Sequence, residues 1–431
     1  MKSIRLMTLL PGHFHAALVQ ARMIPGIHPR CHVYGPLDAD TLAHMTRIAA
    51  FNTHTTHPTT WEVDLRAGPH WLERFHREQP GNTVVLSGRN RTKIDLMRLA
   101  VGEGLNVLAD KPWVIDPEDF PKLEKLFKEA DLREVLLWDM MTERREVTNR
   151  LQRELVRDTE LFGRWQAGTQ KRPALTLEST HHLKKTVSGQ PLARPWWWFD
   201  SGISGEAIAD VGTHLADLAL WFVAPDVPVD YRTDITMLSA ESWPLVLSEE
   251  QFCAVTGLPS YPKPITNRLV NGQLYYAGNN TVTFLLGGVN VKLTTLWEYE
   301  AAPGSGDTHS STALGTLARV AVRQQPGSAP DVFVAATIPT DHPQMLARLE
   351  AKCETLQQDF PGVQVRDLGT EAVLLIPDKL RTPHESHFAA MMEEFSYYFY
   401  NPRALPSWER PNTLARYYIT TKAVELGRAR V

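Results

Sequence analysis

Two short stretches of the chain carry residue types that are suited to acid–base chemistry. In the range 107–113, Asp110 and Lys111 directly follow an apolar run typical of a buried strand. Further along, Asp210 and His214 stand four residues apart in an apolar segment typical of a helix. Residues at this spacing share one helix face, so the carboxylate can fix the tautomer of the imidazole and raise its basicity. A lysine at a strand end and such a pair are suited to oxidising an alcohol, which must lose a proton as its hydride leaves.

Structural roles compete with this interpretation. Asp110 and Lys111 can form an ordinary surface ion pair, which contributes little to stability. A histidine in an apolar helix is often a hydrogen-bonded core residue. Asp217 adds a second carboxylate within reach of His214 and, with Asp210, could form part of a metal site. No further ligand stands at a suitable spacing nearby, and we therefore predict no metal.

A basic and aromatic segment precedes the second of these stretches. The three consecutive tryptophans 196–198 stand between Arg194 and Asp200. Flat indole rings beside charged groups suit a pyranose, because its C–H face stacks on the rings while its hydroxyls form hydrogen bonds. Packing between domains or subunits is the alternative. Two histidine-rich spots, 181–182 and 384–387, are interpreted as pocket-lining, with structural hydrogen bonding as the alternative.

Strand-like and helix-like segments alternate over the first third of the chain, in the order typical of a parallel, doubly wound sheet. We take Thr83–Leu86 as the third strand and Asn106–Ala109 as the fourth. Beyond about residue 140, longer strand-like runs such as 289–299 favour an antiparallel sheet. The sequence therefore predicts an α/β domain with a doubly wound parallel sheet over residues 1–138. An α+β domain with a large, mostly antiparallel open sheet follows over residues 139–431.

The turn after the first strand matches a dinucleotide-binding turn only in part. A G-x-G-x-x-G pattern lets a pyrophosphate approach the start of a helix. Of its glycines, the segment Leu10–Ala17 has only Gly12, although Ala16 or Ala17 can provide close packing of the helix on the strand. After the second strand, Tyr34–Pro36 stands where an acidic residue would accept a hydrogen bond from a ribose hydroxyl. The type of dinucleotide therefore stays open.

The composition is ordinary for a globular protein, with 43% hydrophobic and 22% charged residues. A formal net charge of −4 gives no electrostatic reason to bind nucleic acid or an anionic membrane. The three cysteines, Cys31, Cys253 and Cys353, are widely separated, which favours free thiols in a reducing compartment. No signal-peptide pattern or membrane-spanning window is found in the sequence, so we expect a cytoplasmic protein.

On these motifs the chain resembles the glucose–fructose oxidoreductase, inositol dehydrogenase and rhizopine-catabolism (Gfo/Idh/MocA) family. The family's Glu-Lys-Pro stands here as 110–112, with aspartate in place of glutamate, and its Asp-x-x-x-His stands as 210–214. Asn90 falls where the family has an asparagine after its third main strand. Segments such as 297–300 and 306–309 resemble a subgroup with a distinctive oxidoreductase C-terminal domain.

The resemblance implies a Rossmann domain, a second domain with a large open sheet, and NAD, or alternatively NADP, as the cofactor. It implies that Lys111 orients the substrate hydroxyl near the nicotinamide and that His214 takes the hydroxyl proton. Asp210 would position the substrate or tune His214. The residues expected to bind the cofactor are Gly12, His13, Phe14, His15, Ser87, Asn90, Asp110 and Lys111. Those expected to bind the substrate are His182, Trp197, Trp198 and His309.

The sequence thus predicts an NAD(P)-dependent oxidoreductase that acts on a secondary alcohol of a sugar, glycoside or cyclitol. Two alternatives stay open. The same residues could cleave a glycoside with no net redox change, through oxidation at C3, elimination and return of the hydride. The chain could also be a non-catalytic sensor of sugars or nucleotides. The expected partners are a small carbohydrate and further copies of the chain, as a dimer or tetramer, with no nucleic acid and no membrane.

Overall fold

The computed structural model describes residues 3–187, 190–302, 305–325 and 327–429. Its internal contacts divide the chain into two units. The first unit consists of Met1–Thr142, Gly202–Gly205 and Pro383–Tyr417. The second unit consists of Glu143–Ser201, Glu206–Thr382 and Tyr418–Val431. Each unit contains one large sheet, and the two sheets differ in strand direction.

Strands and helices alternate from the start of the first unit. In chain order they are β1 (Leu6–Leu9), α1 (His15–Leu18), β2 (Arg30–Gly35), α2 (Ala39–Asn52), β3 (Glu62–Ala67), α3 (Trp71–Glu78), β4 (Thr83–Leu86), α4 (Lys93–Gly102), β5 (Asn106–Ala109), α5 (Phe120–Arg133) and β6 (Leu137–Asp139). The strands pair in parallel in the order β3-β2-β1-β4-β5-β6. This doubly wound arrangement confirms the predicted fold class, and its strand order reverses between β1 and β4.

The prediction that Thr83–Leu86 is the third strand was wrong, because β3 and α3 precede it and make it the fourth. Asn106–Ala109 is accordingly the fifth strand. The strand that was missed lies at the edge of the sheet and is only half buried, so it needs no continuous apolar run. Its Asp64 pairs with Arg30 on β2 at 2.9 Å. By contrast, β1 and β4 are buried throughout, as strands covered on both faces must be.

From residue 143 to residue 382 the chain forms mainly strands. The elements are α6 (Val147–Val156), β7 (Gly168–Thr169), β8 (Arg172–Pro173), β9 (Leu175–Lys184), β10 (Thr186–Val187), β11 (Gln190–Pro191), α7 (Ser201–Ser204), α8 (Ala207–Val223), β12 (Ile235–Leu247), α9 (Glu249–Thr256), α10 (Lys263–Thr266), β13 (Leu269–Val270), β14 (Gln273–Leu286), β15 (Val289–Glu300), β16 (Thr308–Leu314), β17 (Ala318–Arg323), β18 (Asp331–Ala336), α11 (His342–Thr355), β19 (Gln364–Asp367) and β20 (Ala372–Leu375). Two helices follow, α12 (His384–Tyr400) and α13 (Glu409–Arg428).

Ten of these strands form the large sheet of the second unit. Nine of them lie in the order β12-β14-β15-β9-β16-β17-β18-β20-β19, and β13 pairs with β14. The pairing of β15 with β9 is parallel, and the remaining pairings of this sheet are antiparallel. This confirms the predicted mostly antiparallel sheet. The helix α8 packs against β9, β14 and β15.

Residues from the end of the chain complete the first unit. Phe388 and Phe395 of α12 join the apolar core that also includes Leu6 and Leu108. In the first part of α13, Arg416 Nη2 and Tyr417 Oη donate to Asp139 Oδ2 at 2.9 and 2.7 Å. Buried ionic groups of this kind must be paired, because an unpaired charge in the interior is costly. Among the described residues, no helix combines the length and apolar character needed to cross a membrane.

Candidate functional site

Asp110 lies directly after β5 and is almost completely buried. Its Oδ2 atom is 3.2 Å from Nδ1 of His13 and 3.1 Å from Nδ1 of His15. The hydroxyl of Ser87 donates to the same oxygen at 2.7 Å. We call these four residues the Asp110 cluster. They come from the turn after β1, from α1, and from the ends of β4 and β5, so the fold of the sheet brings them together.

The charge of the Asp110 cluster is set by two opposing effects. Burial disfavours the charged form of Asp110, but the neighbouring imidazoles outweigh it and hold the pKa of this carboxyl well below its usual range. Burial and the neighbouring His15 lower the pKa of His13 to about 4. Asp110 is therefore an anion that accepts hydrogen bonds at neutral pH, with a neutral imidazole at His13.

The turn after β1 is held against the end of β4 by main-chain contacts. The N–H groups of Gly12 and His13 both donate to the carbonyl oxygen of Ser87, at 3.0 and 3.2 Å. Gly88 permits this approach, since a Cβ atom there would lie 2.7 Å from the carbonyl oxygen of Leu10. The turn therefore sits at the switch point between β1 and β4, where open α/β sheets bind ligands.

A second lysine supports the segment that contains Lys111. Lys93 of α4 is buried, and its Nζ donates to Asn90 Oδ1 at 2.7 Å, to the carbonyl oxygen of Asp110 at 2.7 Å and to that of Pro112 at 3.0 Å. The amide nitrogen of Asn90 donates to the carbonyl oxygen of Ser204 at 2.6 Å. Asn90 thus has a structural role in addition to any contact with a cofactor. Lys93 was not among the residues expected at the site, because in the sequence it is marked only as a lysine at the start of a helix.

In the second unit, Asp210 and His214 lie on α8 as predicted. Asp217 is a different case, because both of its carboxylate oxygens accept from Arg144, at 2.7 and 2.5 Å. Its side chain is fully buried, so this bidentate ion pair is a structural contact. Asp210 acts electrostatically on two partly buried cations, Lys185 and Arg194. The neighbourhood of Asp210 is therefore polar and charged, although α8 is mainly apolar.

Arg194 links the tryptophan segment to the sheet. Its guanidinium carbon lies 4.5 Å from the ring centre of Trp198 and 4.9 Å from that of Trp297 on β15. It also donates from Nη2 to the carbonyl oxygen of His182 at 3.1 Å. Trp198 and the neighbouring Trp197 are both buried in a single helical turn, so packing of the segment accounts for part of the predicted tryptophan cluster. The positive charge of Arg194 therefore lies against the rings of Trp198 and Trp297.

Asp307 lies at the centre of a group of polar side chains in the second unit. It pairs with Nδ1 of His181 at 3.0 Å and with Lys185, and it accepts from the backbone N–H of His182 at 3.0 Å. Burial opposes the charge on Asp307, but His181 and Lys185 hold its pKa well below the usual range. Burial lowers the pKa of Lys185. His181 lies in the histidine pair that we interpreted as pocket-lining, whereas Asp307 was not among our predicted site residues, because its partners are far away in the sequence.

Four buried polar atoms lie side by side on one face of this sheet. Asn280 of β14 pairs with Thr295 of β15, Thr295 and His309 both pair with Ser179, and Trp297 follows Thr295 by two residues. Within the described residues, no hydrogen-bond partner exists for Asn280 Oδ1, Thr295 Oγ1, Trp297 Nε1 or His309 Nε2. We call these residues the polar row. Unpaired buried polar atoms are rare and costly, so this row is suited to a polar ligand.

The sequence-predicted residues therefore fall into two groups. Gly12, His13, His15, Ser87 and Asp110 are brought together in the first unit, with Asn90 and Lys111 on the adjoining segments. Phe14 lies in the same turn, with its ring 4.5 Å from those of both His13 and His15. His182, Trp197, Trp198, Asp210, His214 and His309 belong to the second unit.

Comparison with known proteins gives the class of this one. The family model described as "Putative oxidoreductase C terminal domain" matches residues 151–428, which is more than half of the chain. The crystal structure of a "putative oxidoreductase" from Parabacteroides merdae is similar over 100% of this chain and 98% of its own, with 37% identity and a TM-score of 0.97. The protein is thus an oxidoreductase by fold and family. It belongs to the Gfo/Idh/MocA-type oxidoreductases that carry this C-terminal domain.

More distant structures share the fold. One is a "putative oxidoreductase" from Thermotoga maritima, at 14% identity and a TM-score of 0.63, with 99% of each chain covered. Another is KijD10, a 3-ketoreductase from Actinomadura kijaniata that was crystallised with NADP, at 13% identity and a TM-score of 0.56. Here 98% of this chain and 97% of KijD10 are covered. No curated protein matches the chain.

Proposed function

We propose that the protein is an NAD(P)-dependent oxidoreductase that acts on a secondary alcohol or ketone of a sugar, glycoside or cyclitol. The observation that carries this proposal is the polar row, four unpaired buried polar atoms on the sheet face that also bears His181. A polyol offers hydroxyls that both donate and accept, and so can satisfy the amide oxygen of Asn280 and the indole N–H of Trp297 together. The nearby Arg194 and Trp198 supply a cation and an aromatic face.

The residues of the first unit fit a dinucleotide cofactor. The turn around Gly12 lies at the switch point of the sheet, and a Cβ at Gly88 would collide with that turn. We assign the cofactor to Gly12, His13, Phe14, His15, Ser87, Asn90, Asp110 and Lys111. When bound, NAD or NADP accepts or supplies the hydride at the nicotinamide ring. The imidazoles of His13 and His15 are further polar groups of this turn.

The reacting hydroxyl needs a positioning cation and a base. We assign the first role to Lys111, whose segment is held by Lys93, and the second to His214. Asp210, one helical turn before His214, positions the substrate or tunes the imidazole. His182, Trp197, Trp198 and His309 complete the proposed substrate site. A base with a pKa near neutrality is what proton removal from an alcohol requires at physiological pH.

A substrate screen tests this function. Glycosides and inositols are offered with NAD+ or NADP+, and the absorbance of the reduced nicotinamide is followed. Lys111→Ala and His214→Ala should lose about 10²-fold or more in turnover while still folding. Lys122→Ala, on the exposed face of α5, is the matched control and should keep full turnover. Glycoside cleavage without added cofactor would instead favour the redox-neutral reaction. The absence of any saturable change in NADH fluorescence would overturn the proposal.

A further inference from the structure

The Asp110 cluster contains three groups that commonly bind metals. One ligand atom each from His13, His15 and Asp110 lies within 4.8 Å of the others. We propose that these three residues form a binding site for one divalent transition-metal ion, with zinc as the best match. This site goes beyond the dinucleotide chemistry of the proposed function, and it departs from our sequence-based expectation of no metal.

Two distances within the cluster are close to those of a tetrahedral site. Ligand atoms that are each about 2.0–2.1 Å from a tetrahedral zinc ion lie about 3.3–3.4 Å from one another. Nδ1 of His13 and Nδ1 of His15 lie 3.2 and 3.1 Å from Asp110 Oδ2. Both distances differ from the tetrahedral value by only about 0.1–0.3 Å, and all three ligand atoms lie within 4.8 Å of one another. Two imidazoles and one carboxylate also match the ligand preference of zinc, which takes nitrogen and oxygen donors.

The surroundings orient each ligand as metal sites usually require. The hydroxyl of Ser87 donates to Asp110 Oδ2 at 2.7 Å and fixes the carboxylate. Nε2 of His15 lies 3.2 Å from Nε2 of His384, so the far side of the His15 ring has a partner while Nδ1 faces Asp110. Metal-bound histidines characteristically use their second nitrogen in this way, which fixes the ring and its tautomer.

The site has an entrance and an open position. The side chain of His13 is 29% exposed, whereas those of His15 and Asp110 are 7% and 3% exposed. An ion can therefore reach the cluster past His13. Three protein ligands leave the fourth position of a tetrahedral ion for water or for an oxygen of a bound ligand. Sites with three protein ligands are the kind that take part in chemistry, whereas structural zinc sites are usually closed by four.

The experiment measures metal binding directly in the whole, untagged protein. We expect about one equivalent of metal per chain after purification, and a Co²⁺ titration that saturates at one equivalent with the visible absorption of four-coordinate Co²⁺. His13→Ala and Asp110→Asn should both lose this absorption. His342→Ala is the matched control, because His342 forms a similar histidine–aspartate pair with Asp367 at 2.8 Å outside the cluster. It should bind Co²⁺ as the wild type does.

Two results would overturn the metal site. One is a wild-type protein that neither retains metal nor gives the Co²⁺ absorption. The other is a His13→Ala variant that binds Co²⁺ as well as His342→Ala does. Because His13 is partly exposed, its variant should fold even if Asp110→Asn does not. A separate NADH fluorescence titration of the metal-free wild type keeps the failure of this site distinguishable from a failure of the proposed function.

Discussion

The ammonium group of Lys93 lies 2.7 Å from the carbonyl oxygen of Asp110, the residue that precedes Lys111. Lys93 is only 2% exposed, and its charge is met by Asn90 and Pro112 as well. Lys93 thus fixes the main chain on both sides of Lys111. Lys111, which we assign to the reaction, is held in position because the buried Lys93 fixes the main chain around it.

Replacing Lys93 by methionine should therefore impair the reaction without touching the substrate. The side chain keeps its length but leaves two buried carbonyl oxygens without their donor, at a cost of about 1–3 kcal/mol each. A displacement of the Lys111 segment by about 1 Å is enough to lower kcat about 10²-fold. Steady-state kinetics with a substrate from the screen measure this, and Lys122→Met, on the surface, is the control. Unchanged kcat in a folded Lys93→Met variant would contradict the positioning role.

For the polar row we predict that one substitution changes both the stability of the protein and its affinity for substrate. Thr295→Val replaces an unpaired buried hydroxyl by a methyl group, so the free energy of unfolding should rise by about 1 kcal/mol. The same change removes a contact to substrate, and KM should rise by about tenfold. Thr294→Val is the control, since its hydroxyl lies 3.5 Å from that of Thr281 and it points to the other face of β15. Denaturant unfolding of both variants tests the expected rise in stability, and steady-state kinetics of both variants test the expected rise in KM.

The pH dependence of stability should report on His309. Burial, with a smaller contribution from His181, lowers its pKa from 6.5 to about 4. Above pH 6.5 the imidazole is neutral in both the folded and the unfolded chain. Between 6.5 and 4 the unfolded chain binds the proton first, so the wild type loses stability as the pH falls. His309→Gln should lose less over this range, and the melting temperatures of both proteins from pH 7 to pH 4 test this. If the melting temperatures of the two proteins fall equally with pH, the prediction is refuted.

The contact between Arg416 and Asp139 should matter for folding alone. Both side chains are almost fully buried, and Arg416 Nη2 lies 2.9 Å from Asp139 Oδ2. Arg416→Met leaves a buried carboxylate without its cation and should cost about 3–5 kcal/mol. Arg319→Met, which removes a half-exposed ion pair to Glu371, should cost about 1 kcal/mol or less. Urea unfolding of both variants gives the comparison, and equal losses would contradict the argument.

Several features of the fold follow from local pattern. The apolar runs of β1, β4 and β5 predicted a parallel sheet, and Asp210 and His214 were expected on one helix, where α8 now places them. The edge strand β3 escaped prediction, since a half-exposed edge tolerates charged residues such as Asp64. The local sequence pattern does not identify β3, because a strand that is in contact with solvent does not need a run of apolar residues.

The amino-acid sequence by itself determined the alternation of strands and helices in the first unit apart from β3 and α3, the family motifs, and the positions of Lys111 and His214 within them. It could do so because helix and strand periodicity and turn chemistry act over a few residues. Only the tertiary structure decided that His15 meets both Asp110 and His384, the latter 369 residues away, and that Arg194 lies over Trp297. Such pairs are set by strand order and packing, which no local pattern encodes, and the Asp110 cluster and the polar row both depend on them.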